Sequence, residues 1–167
     1  TPNNRIVKSR RDSIIWGGKG SPITSLSTPR NAPYRGAAYA KVTVQIFADL
    51  QDTNTSALFQ PMTEEGADKP DPDNAAIKRA VETYGDKVKF VYRPIFSRTH
   101  TRADAASRFL YEVFARKGGD AFWTSMVDMV TGTQKLDDAQ LESLAQRLNL
   151  DWKKTKKLME SERYKEL

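Results

Sequence analysis

The pattern of apolar and polar positions changes character twice along the chain. Residues 41–48, KVTVQIFA, form a nearly unbroken apolar run in which Val42, Thr43, Val44 and Ile46 are β-branched. Such a run predicts a strand buried on both faces and central in its sheet. Polar DLQDTNTS follows, then ALFQPM. Asp52 can cap a helix beginning at Thr53, because its carboxylate accepts bonds from the amides left free at a helix start. Gly66, Pro70 and Pro72 break that helix within residues 64–73. Asp73 or Asn74 then caps a second piece, AAIKRAVETY, which Gly85 ends. Residues 87–96, KVKFVYRPIF, predict a second strand with Val88, Phe90 and Tyr92 in alternation. Pro94 has no amide donor, so it ends the ladder or lies at an edge.

Beyond residue 100 the period changes from two to that of a helix. Thr101-x-x-Asp104 is a capping-box-like start for a helix carrying Ala105, Ala106, Phe109, Leu110, Val113 and Phe114 on one face. Gly118-Gly119 ends it, and residues 122–130 form a compact apolar helix. Asp137-x-x-Gln140 opens another helix, with Leu141, Leu144, Ala145 and Leu148 at helical spacing, and Asp151 opens the last. A strand, a crossover helix and a second strand imply a parallel pair. The four later helices must cover it as a separate layer.

Residues 1–40 have neither period. They hold eight of the chain's seventeen glycines and prolines, and read as an extended arm that forms no helix. The boundaries are then an arm at 1–32 and a body at 33–167, with a helical subdomain over about 101–167. Two parallel strands alone leave open edges and bury too little. A third strand is therefore expected, from arm residues 13–16 or 23–26 or from further polypeptide.

Composition sharpens this picture. The chain has 167 residues, 38% apolar and 29% charged, which suits one soluble globular domain. No window approaches eighteen consecutive apolar residues, and the start, TPNNRIVKSRR, lacks the apolar stretch of a signal peptide. The net charge of +6 lies wholly in residues 1–40, where seven cations face the single anion Asp12. Residues 41–167 carry twenty charges of each sign. A nucleic-acid-binding body would need its own basic face, so no nucleic-acid partner is expected; the arm suits an acidic protein surface.

Candidate chemistry is sparse. Cysteine is absent, which removes disulfides, thiolate nucleophiles and cysteine-ligated metals. His100 is the sole histidine. As a general base it would need a nucleophile and an orienting group within about 3 Å. Thr55, Asp49 and Asp52 are the nearby candidates if the two strand ends lie side by side. The simpler reading has His100 packing under a loop and Asp49 bonding loop amides. Asp68, Asp71 and Asp73 look metal-like, with Glu82 twelfth from Asp71. A calcium loop wants glycine at its sixth position, and here Pro72 intrudes, so no metal is expected. Phe122, Trp123, Met126 and Met129 read as core.

The order of these elements and their local words resembles the DsbA-type branch of the thioredoxin fold, from about Pro33 to Leu167. PYRGAAYAKVTVQIFADLQ resembles that family's entry into its first core strand, and YGDKVKFVYR its second. HTRADAA resembles its histidine before an alanine-rich helix, GGDAFWTSMVDMV its Phe-Trp helix, and LDDAQLESLAQRLNLD the next. The resemblance implies an α/β, thioredoxin-like fold of DsbA type with a helical insertion. It also implies a periplasmic or cell-envelope location. The family's Cys-x-x-Cys falls on Asp52, Thr53, Asn54 and Thr55, so the slot that holds its thiolate holds a carboxylate instead. The family's cis-proline loop and closing hairpin would follow the last helix, and no counterpart occurs among these residues; Pro94 ends the second strand and is not its equivalent. The sheet is accordingly expected to be incomplete.

Two functions compete on this sequence. One is a redox-inactive, non-enzymatic domain acting as a structural or interaction subunit of a larger assembly, with protein partners, no cofactor and no membrane span. The other is an enzyme of glutathione transferase kappa type, a fold relative in which a hydroxyl replaces the first thiol. Thr55 or Thr53 would then have to activate glutathione.

Overall fold

The structure is a computed structural model and describes residues 5–8, 14–17, 28–29, 31–59, 76–132 and 135–164. Strands β1 (Arg5–Lys8) and β2 (Ile14–Gly17) pair antiparallel as a separate two-stranded sheet, with Ile6 opposite Trp16. The arm segment at 14–17 thus pairs within the arm and does not supply the third strand of the body. Residues 23–26 lie outside the described residues.

The body is built on a three-stranded sheet of order β3–β5–β4. Strand β4 (Val42–Ala48) runs parallel to β5 (Val88–Pro94), in register from Val42 opposite Val88 to Ala48 opposite Pro94. The connection between them includes α1 (Thr53–Phe59) and α2 (Ala76–Tyr84). The third strand is β3 (Tyr34–Arg35), only two residues long and antiparallel to β5. Its junction is reinforced by the Tyr92 amide, which donates to the Pro33 carbonyl at 2.9 Å.

This order corrects one expectation. The central strand is β5, not β4. Phe90, Val91 and Tyr92 in the middle of β5 are buried, whereas Val42, Val44 and Phe47 of β4 are exposed. Hydrophobicity alone cannot separate a strand with two paired edges from one with a single paired edge. Pro94 behaves as its missing donor requires, sitting at the last rung of the ladder.

Four helical segments follow β5. The first two are joined in α3 (Ala103–Thr131), which packs against β3 and is interrupted at Gly118 by φ 82° and ψ −173°. That backbone region is open essentially to glycine alone, so the helix breaks where the Gly-Gly pair predicts. A Cβ on Gly119 would stand 3.2 Å from the Tyr34 carbonyl, so the second glycine lets α3 approach β3. Before the break, Ala106, Phe109, Leu110 and Val113 are buried; after it, Phe122, Trp123, Met126 and Met129 are. Tyr92 joins both halves, with its ring 5.5 Å from Phe122 and 6.4 Å from Tyr111. Burying each such side chain contributes about 1.5–3 kcal/mol. Helices α4 (Asp138–Arg147) and α5 (Trp152–Met159) pack on α3 and on each other. Their caps are those the sequence predicts: Asp137 accepts from the Gln140 amide at 2.9 Å and Asp151 from the Lys154 amide at 2.8 Å.

The start of α3 differs from its expectation. Its cap residue is Arg102, with no side-chain capping bond, so Thr101 and Asp104 form no capping box. The Arg102 amide instead donates 2.8 Å to Gln51 Oε1, a side chain from the loop after β4. Asp104 bonds forward to Arg108 at 2.8 Å.

Candidate functional site

The C-terminal ends of two parallel strands lie side by side, and their loops converge there. At the end of β4, Asp49 is 5% exposed and fully engaged. Its Oδ1 accepts from the Gln51 amide at 2.9 Å, and its Oδ2 accepts from the Ser97 amide at 2.8 Å. The same Oδ2 lies 2.8 Å from His100 Nδ1. An ionised carboxylate only accepts, so Nδ1 carries the hydrogen in this pair. Asp49 therefore ties the β4 loop to the β5 loop through two bonds, and Gln51 adds a third through Arg102.

Asp52 stands three residues further on. Its amide donates to the Asp49 carbonyl at 3.0 Å, and its Oδ1 accepts from the Asn54 amide at 2.7 Å. Its carbonyl accepts the Ser56 amide at 3.2 Å, the first bond of α1. A carboxylate in this position satisfies an otherwise free amide and meets the positive end of the helix. Thr53 and Asn54 are exposed, while Thr55 and Ser56 are buried.

The structure therefore brings Asp49 and His100 together and sets Asp52 to Thr55 on the adjoining turn. It does not assemble a nucleophile with them. Among the described residues Asp49 is the side-chain partner of His100, and no hydroxyl joins the pair. An aspartate–histidine pair without a third group can orient an imidazole and pin two loops, but has nothing to deprotonate. Asp68, Asp71 and Asp73 lie outside the described residues. Among those described, no three His, Asp or Glu side chains converge as metal ligands, and Glu82 is exposed.

Sequence reasoning did not reveal a second polar cluster, buried under α3. Glu112 is 1% exposed and pairs with Arg116 Nε at 3.1 Å and with Arg163 at 3.4 Å. The Tyr164 hydroxyl donates to Glu112 Oε1, the oxygen that also faces Arg163, while Arg116 faces Oε2. Arg116 also donates to Thr155 at 3.2 Å, which ties α3 to α5. The i, i+4 spacing of Glu112 and Arg116 was the one available signal, and it usually marks a solvated pair. Burial favours the neutral phenol, and so does the bond to Glu112, so Tyr164 titrates well above the ordinary tyrosine range.

No protein-family model matches the chain, and no curated protein matches it either. Solved structures do. BdbD from Bacillus subtilis, in its oxidised form, matches at 18% identity over 77% of this chain and 65% of its own, with a TM-score of 0.58. DsbA from Chlamydia trachomatis matches at 15% identity over 87% of this chain and 74% of its own, with a TM-score of 0.59. A periplasmic thioredoxin-like protein from Salmonella enterica serovar Typhimurium matches at 15% identity over 77% of this chain and 68% of its own, with a TM-score of 0.54. The chain thus spans about two thirds of the length of the structures it resembles. At these identities the likeness establishes the fold.

Proposed function

We propose that this chain, which has the DsbA-type thioredoxin fold and no cysteine, is a redox-inactive domain that works by protein–protein interaction within a larger, envelope-located assembly. The observation that carries the proposal is Asp52. By its resemblance to the family pattern it would take the first position of Cys-x-x-Cys, and its carboxylate is bonded to the Asn54 amide at the start of α1. Thiol–disulfide exchange requires an attacking thiolate and a second sulfur to resolve the mixed disulfide. The chain has neither. A carboxylate can hold the helix end but cannot exchange sulfur.

The envelope location is supported by the Salmonella match, which is described as periplasmic. Partner docking is supported by the placement of all the net charge in residues 1–40, next to residues 41–167, which are balanced in charge. Such an arm is suited to an acidic protein surface, with an attraction that salt screens.

The experiment is a pair of assays on the pure chain. Insulin reduction by dithiothreitol should run at the no-protein rate, and activity above it would overturn the proposal. The competing glutathione transferase reading rests on Thr53 and Thr55, and is tested by titrating glutathione. Saturable binding with Kd of about 1 mM or tighter would favour that enzyme. No saturable binding is the expected result, because Thr55 is buried and, among the described residues, no hydroxyl joins the Asp49–His100 pair.

A further inference from the structure

We draw no further inference here: the strongest candidate, the cavity of about 380 Å³ between β3 and the break in α3, lined by Tyr34, Arg35, Phe114, Gly118 and Asp120, carries nothing, because nothing in the structure identifies a ligand for it.

Discussion

Asp52 has a structural task at the start of α1. Its bond to the Asn54 amide is a helix cap, and losing a cap costs about 0.5–2 kcal/mol. Asp52→Ala should lower stability in urea melts by that amount, and Asp52→Asn by less, since asparagine also caps. Unchanged stability in both would mean that α1 does not depend on this carboxylate. The buried phenols set the alkaline limit. Burial pushes Tyr111 up to about 12, and pushes Tyr92 and Tyr164 higher. An unfolded tyrosine ionises near about 10, so these groups bind protons more tightly in the folded state. Their contribution is complete below that pH and lost as pH rises towards the folded values. Stability should therefore fall from about pH 10 upward, with tyrosinate absorbance appearing as the chain unfolds. Three phenols titrating freely in a still-folded protein would contradict the burial.

At the scale of elements, the clearest device is the break in α3. Gly118 adopts φ 82° and ψ −173°, so Gly118→Ala should destabilise by about 1–3 kcal/mol even though a Cβ there meets nothing within 4 Å. A neutral result by thermal melting would show that the two helical halves can join differently. The break was legible because Gly-Gly interrupts a strong apolar period, and the caps at Asp137 and Asp151 were legible for similar local reasons. Strand β3 was not, since Tyr34–Arg35 is too short to carry any period and exists through its partners in β5. Strand β1 escaped notice for the same reason. The exposed side of β4 was misjudged because β-branched content reports strand formation and not the number of paired edges. The Gln51 bond to Arg102 was equally hidden, being a long-range substitute for the local capping box that Thr101 and Asp104 suggested. Within the candidate site, Asp49 and His100 could be named from chain position, but their 2.8 Å contact depends on the parallel register of β4 and β5.

At the scale of the whole molecule, charge and core are separated. Residues 41–167 are balanced in charge, and the excess of +6 stays in the first forty residues. Deleting residues 1–27 should leave the melting temperature of the body nearly unchanged and weaken association with an acidic partner most at low salt. Deletion through residue 35 should unfold it, because this removes β3 and the Pro33 carbonyl that receives the Tyr92 amide. Loss of the fold in the shorter deletion would make the arm part of the core. The central proposal is that Asp52 stands where the DsbA-type fold would place a thiolate. The most direct measurement is the thiol pKa of Asp52→Cys, read from the pH dependence of alkylation, since no other cysteine is present to interfere. A thiolate at this helix start should titrate below the free value of about 8.5. A pKa at or above that value would contradict the claim, because the position would then offer an anion no stabilisation.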